Sequence, residues 1–563
     1  MSKNNAAVKV SIIAEEIETD NTKTANNSEV ISESKAGNDK LILNNIIKIL
    51  VALIGVVSIG IVLFYIIFIS KGYYHADCTD TITWAEAILD GKALMNSDFY
   101  YACLLPFGGQ LLMVPFVAIF GVSMTAQLCG MVLFAICFGL ALAFLLRSMN
   151  FSYKWSVVGV SALFLIVSIS EKLREIFWCH IIYYSLGLLF IMVGLGLILR
   201  VLNNEKSKKK YMILLLIWTA LCSMNGIQAL TIYGLPVLAA FIANIFFDVK
   251  TPFASKKNER KYEIILALVF AIIVGMLLGK IVNGNIVAGY QEGYSVFSKQ
   301  SQWLDNFLNF IPQWFTLFGV EVGNRMLIYS GEGIIELLKI ICSLVVLIVP
   351  IIMIIMYNKF EAIAYKLMIL THTFMTALIL LGWIFGSLNT ACWRLSPIIG
   401  TSVILCIMFA KWIYDKKQYQ RMFAIIVIPI GILMLISTMG ILKINNTQSE
   451  SNQALENVID TLEKNNLQYG YGTFWNANSI TLLSDNDVKV RCINVNELGV
   501  SPRTYQTNIN WYKDNSYEEY FLLLKADEYD TYKYSENYVE PIKEIESDNY
   551  FILIYNYNLL EIK

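Results

Sequence analysis

The chain has 563 residues, 56% of them hydrophobic and only 15% charged, with a mean hydropathy of +0.56 and a formal net charge of −1. Soluble domains carry about 25% charged residues, so a water-soluble globular protein is excluded, and a pI near 6.4 leaves no nucleic-acid footprint. Three histidines and ten scattered cysteines, without CxxC, HExxH or zinc-type spacing, argue against a zinc enzyme or a cysteine-ligated cluster.

Residues 1–43 are polar and rich in Asn, Ser, Thr, Lys and Glu. They hold no apolar stretch long enough for a signal-peptide core, so the first membrane segment is expected to be retained. The tail reads as disordered and cytoplasmic. A spanning helix needs about 20 mostly apolar residues. Eleven stretches qualify as candidates: 46–69, 124–146, 155–170, 183–200, 211–224, 228–247, 263–282, 334–356, 367–386, 395–412 and 422–442. The region 44–442 is therefore a membrane domain, and the fold class is a polytopic α-helical membrane protein with about eleven spans.

Residues 106–120 are apolar but short, with two prolines. If they do not cross, the loops 147–154, 200–210, 248–262, 357–366 and 411–421 fall on one side. Those loops carry Arg147, Lys206, Lys208–Lys210, Lys256, Lys257, Arg260, Lys359 and Lys416 among other basic residues. The opposite loops are longer in total and hold few Lys or Arg. Positive charge stays inside, so 106–120 reads as a re-entrant or interfacial helix on the outer face. The N-terminus is then cytoplasmic, and everything after residue 442 is extracytoplasmic.

Three outer regions follow: the loop 70–123, the loop 283–333 and the soluble region 443–563. In the second, Trp303, Phe307, Phe310 and Trp314 recur at helical spacing. A helix lying on the bilayer surface and a loop helix packed on its neighbours fit that spacing equally. The third opens with an amphipathic helix (454–467) and continues as strand 469–475, a short helical piece, and strands 488–495, 520–525 and 550–556. This order predicts a small α/β domain. It has no Gly-rich phosphate fingerprint.

Ionisable groups at membrane depth are costly and point to function. The span middles hold almost none. His372 is the main exception, and a structural hydrogen bond is the better expectation for it. That emptiness argues against an ion-coupled transporter. Charged and polar groups gather instead at the outer ends: Asp77, Asp80, Glu86, Glu171, Lys172, Arg174, Glu175, His180, Glu321, Arg325, Glu332 and Arg394. The first loop predicts a helix over 79–89, with Ile82, Ala85 and Leu89 on one stripe. Asp77 and Asp80 stand at its start, where carboxylates can cap the helix, bind a cation or act as a base. Spacing alone favours capping for at least one of them. Cys78 and Cys103 are both expected outside, where a bridge between them is conceivable but not fixed by sequence.

An Asp shortly after the first span, an amphipathic helix, and then a Pro/Gly-containing apolar helix ending in Phe-Gly together resemble the C-type (GT-C) membrane glycosyltransferases. The pattern is most similar to the protein O-mannosyltransferase and lipid A aminoarabinose transferase branch. Asp77 and Ala85 keep that branch's eight-residue spacing, and Leu105-Pro106-Phe107 through Phe120-Gly121 occupies its second element. Arg394 in CWRLSP echoes an Arg-Tyr at a late helix start. Cys78 stands where Glu is usual, one of the branch's two prolines is missing, and Leu395 replaces the Tyr.

The resemblance implies an inverting transfer of a sugar from a polyprenyl-phosphate donor to a glycan, lipid or protein hydroxyl. It makes Asp77 the base, with Asp80 as its neighbour, and Arg394 the leading phosphate-binding residue, with Arg174 and His180 next. It demands no cofactor, although two close carboxylates leave a divalent cation open. A lipid-linked polysaccharide polymerase or ligase, or a non-catalytic envelope protein, is the alternative. The expected location is the plasma membrane.

Overall fold

A computed structural model describes residues 45–247, 255–286, 288, 296–417, 420–444 and 450–560. The expected tail, 1–43, lies outside them. Among the described residues the chain is mainly helical. Nine helices are long and apolar enough to cross a membrane: α1 (Asn45–Tyr73), Ile227–Phe247 and seven others described below. The expected span 155–170 is instead a bent pair, α5 (Tyr153–Ile166) and α6 (Glu171–Trp178), which meet at 117°. The expected span 211–224 is a helix of 16 residues, Lys208–Ser223, short of a full crossing by length alone.

Between α1 and the next crossing lie α2 (Asp80–Gly91), a two-residue strand β1 (Phe99–Tyr100) and α3 (Gln110–Phe120). At 11 residues, α3 is too short to span. It packs against α2 and against α4 (Met124–Ser148). The expected re-entrant or interfacial element is thus a short helix folded back onto the bundle.

Two crossings, α7 (Tyr183–Asn203) and Cys392–Lys416, are almost wholly buried, so they form the centre of the bundle. Small residues let them approach closely. A Cβ on Gly400 would stand 2.3 Å from a Leu188 methyl of α7, and α7 meets Ile227–Phe247 as closely, since one on Gly194 would stand 2.3 Å from the Tyr233 ring. Gly331–Ile355, Arg421–Leu442 and Asn258–Asn283 show most of their surface on the outside of the bundle, as lipid-facing helices should. His372 sits inside Ile363–Phe385 and meets the expectation made for it: its Nδ1 lies 2.7 Å from the Thr401 hydroxyl.

The stretch around Trp303 forms two short helices, Trp303–Leu308 and Phe310–Leu317. Trp314 is fully buried and its indole donates to the Ser343 carbonyl at 3.2 Å. Phe307 is exposed. The face is therefore divided: Trp314 packs on the bundle and Phe307 points away.

Residues 450–560 build a mixed sheet in the order β4-β3-β2-β6-β8-β7. Its strands are β2 (Tyr469–Thr473), β3 (Lys489–Asn496), β4 (Gly499–Pro502), β6 (Tyr520–Lys525), β7 (Lys543–Ser547) and β8 (Tyr550–Tyr555). Strands β2, β3 and β6 run parallel. The crossover after β2 passes through the helix Phe474–Leu483. One face carries a tyrosine-rich core of Tyr469, Tyr471, Tyr512, Tyr520 and Tyr532.

This module is stitched to the first loop. Strand β5 (Thr507–Asn508) pairs antiparallel with β1, Phe99 opposite Asn508. The Asp485 carboxylate accepts from the Met124 amide at 2.8 Å, at the start of α4. Ser58–Lys563 consequently form one compact unit.

Candidate functional site

A cavity of about 570 Å³ opens at one end of the helices. Its polar lining includes Asp77, Asp80, Glu175, His180, Arg394 and Arg503. Apolar and small residues from helix ends complete it, among them Ile227, Thr231, Ile232, Leu378, Ile379 and Gly382. Aromatic rings of Tyr183, Trp393, Phe474, Trp475 and Tyr505 also border it.

The segment before α2 is held by Gln127 of α4. Its Nε2 donates to the Tyr74 hydroxyl at 3.2 Å and to the Cys179 carbonyl at 2.8 Å. One buried amide thereby sets the loop of Asp77 beside the loop of His180. Asp77 itself stands in a 3₁₀ turn, Ala76–Thr79. It does not cap α2, whose N-cap is Thr79 with no side-chain cap bond. The expected capping role is thus absent. The half-buried Asp77 carboxylate has no hydrogen-bond partner among the described residues and faces the cavity. Burial raises its pKa, and the nearby His75 ring pulls the other way.

Asp80 is in a different state. It is 9% exposed and accepts a hydrogen bond from Gln506 Nε2, while Gln506 Oε1 accepts from the Trp84 indole at 2.7 Å. The indole fixes which end of the amide faces Asp80. Gln506 holds a left-handed backbone, φ 54°, and its amide nitrogen donates to the Tyr100 carbonyl at 2.6 Å. Burial, followed by the charge of Asp77, pushes the Asp80 carboxyl well above the carboxylate range, against the pull of Gln506. Asp80 is thus a clamped neighbour, and Asp77 is the accessible carboxylate.

Glu175 is the hub of the opposite wall. One oxygen lies 2.5 Å from Lys172 Nζ, and the other lies 3.4 Å from His75 Nε2 and 3.9 Å from His180 Nε2. Burial works against its charge, but the His75 side chain and Lys172 outweigh it and bring its pKa down to about 2. His180 is 3% exposed and both ring nitrogens lack hydrogen-bond partners. Burial drops its pKa to about 4, so its ring is neutral near pH 7. The ring borders the cavity, so a molecule held there can reach the unpaired nitrogens.

Arg394 precedes the central helix Ser396–Lys416. Its Nη1 donates to the Ser387 carbonyl at 2.6 Å and the Thr390 hydroxyl at 2.9 Å. This turn fixes the guanidinium at the cavity wall. Arg174 does not join it. Its Nη1 donates to the Ser168 carbonyl at 3.0 Å, and its guanidinium lies over the Tyr65 ring at 5.3 Å. Successive side chains on a helix diverge by about 100°, so with Glu175 facing the cavity, Arg174 faces the bundle. Of the other charged residues gathered in the sequence, Glu86, Glu171, Lys172, Glu321, Arg325 and Glu332 do not line the cavity.

Cys78 and Cys103 are both free and buried, not bridged. Among the described residues no group of three or more His, Cys, Asp or Glu is arranged to hold a metal ion. The carboxylate pair considered for a divalent cation is divided, because Asp80 is engaged by Gln506.

Two site residues lie beyond the sequence reading, Arg503 and Gln506. Both come from the strand-rich module, hundreds of positions from the first loop. The only local signal is an arginine set among Pro502, Tyr505 and a polar turn. Neither a scan of protein-family models nor a search of curated proteins finds a match for this chain.

Proposed function

We propose that this chain is a membrane glycosyltransferase that moves a sugar from a polyprenyl-phosphate donor to an acceptor hydroxyl on the outer face of the membrane. One observation carries the reading. Asp77, His180 and Arg394, nominated separately along the sequence, line one cavity together with the apolar ends of spanning helices. A lipid-borne phosphate needs that combination: a hydrocarbon-compatible wall, a guanidinium at phosphate depth, and a carboxylate beyond it.

In this mechanism the ionised Asp77 takes the proton of the acceptor hydroxyl as its oxygen attacks the anomeric carbon. The new C–O bond forms on the face opposite the leaving group, so configuration inverts. The bond from the anomeric carbon to the phosphate oxygen breaks, and its electron pair leaves with the lipid phosphate. Arg394 stabilises the charge that grows there. The neutral His180 donates one N–H to a phosphate or sugar oxygen and does not act as a second cation. Asp80 is engaged by Gln506 and does not compete as base. The distribution of Lys and Arg among the loops supports a cavity, and with it a 450–560 module, on the outside of the plasma membrane, with the N-terminus in the cytoplasm.

The test is turnover in liposomes with a panel of undecaprenyl-phosphate sugars and a membrane-glycan extract as acceptor, read as released undecaprenyl phosphate. Release from at least one donor is expected. No release from any, with protein that is folded and inserted, overturns the reading.

A further inference from the structure

The wall that residues 450–560 give to the cavity is built of aromatic rings and one guanidinium. Trp475, Phe474 and Tyr505 form a continuous run of rings, with centroids 5.2 Å apart for the first pair and 5.1 Å for the second. Trp475 is 58% exposed, unusual for a tryptophan in an otherwise well-packed module. The Arg503 guanidinium lies over two of these rings, 4.9 Å from Phe474 and 5.1 Å from Tyr505. It has no carboxylate at ion-pair distance and makes no side-chain hydrogen bond among the described residues. The two rings hold it as a flat cation with its N–H edge unspent.

The topology favours this position too. The crossover from β2 leads to β3 on one side of β2, while β6 on the other side feeds the antiparallel β8–β7 pair. Open α/β sheets bind ligands beyond the carboxyl ends of their parallel strands, at such a reversal. Phe474 and Trp475 directly follow the carboxyl end of β2.

We infer that this wall is the acceptor subsite and that the acceptor is an anionic carbohydrate, a uronate- or phosphate-bearing glycan. Pyranose rings present a flat C–H face that stacks on exposed aromatics such as Trp475, and a planar guanidinium pairs with a carboxylate or phosphate through two parallel N–H bonds. Asp77 and Arg394 line the same cavity, so an acceptor held here lies within the chamber of the donor. The assignment of this glycan as acceptor rests on the transferase reading; the binding itself does not.

The experiment uses the full chain in nanodiscs and two probes, trigalacturonate and neutral maltotriose, with binding read by saturation-transfer NMR. Trigalacturonate should bind about tenfold more tightly, as expected for a charge-assisted pair, and the gap should narrow at high salt. Arg503→Gln should abolish the gap. Trp475→Ala should weaken both probes. Neither change should alter binding of undecaprenyl phosphate. Equal affinity of the wild type for the two probes overturns the inference. So does an Arg503→Gln variant that loses undecaprenyl phosphate binding, which would make Arg503 a donor contact. If the acidic probe binds as expected while no donor is consumed, the transferase reading fails and the subsite stands.

Discussion

Two histidines separate the interior of the spans from the cavity end. His372 is buried inside a span, and its ring meets the Thr401 hydroxyl at 2.7 Å. His180 is equally buried at the cavity, yet both of its nitrogens lack partners. The difference teaches where chemistry is stored. A polar group inside hydrocarbon must be satisfied by the protein itself, or it costs several kcal/mol. His180 lines the cavity, where a ligand or water can reach its nitrogens. The same contrast recurs within one helical turn: Asp80 is satisfied by Gln506, and Asp77 is not.

The sharpest way to break this contrast is to exchange the roles of the two carboxylates. Asp77→Asn keeps size and shape but removes basicity, and losing a general base costs about 10²–10⁴-fold in rate. Asp80→Asn should be far milder in turnover. A dead Asp80→Asn beside an active Asp77→Asn would move the base one turn along.

Next in size is the clamp. Gln506→Leu leaves the Trp84 indole and the Asp80 carboxyl without their partner, at about 1–3 kcal/mol for each buried group. The thermal midpoint in detergent should fall clearly, and turnover should fall with it. An unchanged midpoint would mean that the module does not support the site.

Arg394→Lys should then weaken donor use by about tenfold, because an ammonium cannot reproduce the fork of a guanidinium. The amount of protein in the membrane should stay the same. Unchanged donor affinity would return Arg394 to an interfacial anchor.

The smallest effect is a shift in pH. Asp77 must be ionised to act, so turnover rises with pH through its pKa. Burial already raises that pKa, and the His75 ring holds it down. His75→Gln removes the restraint, so the acid limb of the rate profile should move to higher pH. A limb that stays put or moves to lower pH would separate His75 from the base.

Much of this architecture was legible from local pattern. Long apolar runs have few options in a membrane, and the strands at 520–525 and 550–556 are apolar runs bounded by polar turns. Asp77, His180 and Arg394 were legible because each sits just beyond an apolar run, where charge is conspicuous. The pairing of Gln506 with Asp80 was not, since neither residue carries a sign of the other across the sequence. Arg174 misled for a related reason. Composition tells which residues are near the membrane surface, but the 100° step between neighbours on α6 decides which one faces the cavity. The bend after Ile166 was equally hidden. It depends on the Ser170 hydroxyl, which accepts from the Leu173 amide at 3.2 Å and donates to the Leu317 carbonyl, far along the chain.

The most direct measurement asks where a lipid phosphate docks. A photoreactive undecaprenyl phosphate, crosslinked to the protein in nanodiscs and mapped by mass spectrometry, should label the cavity-lining helix ends at 227–232 and 378–382. Excess undecaprenyl phosphate should suppress that labelling. Labelling confined to exposed span residues such as Leu266 and Phe270, unaffected by competitor, would contradict the account.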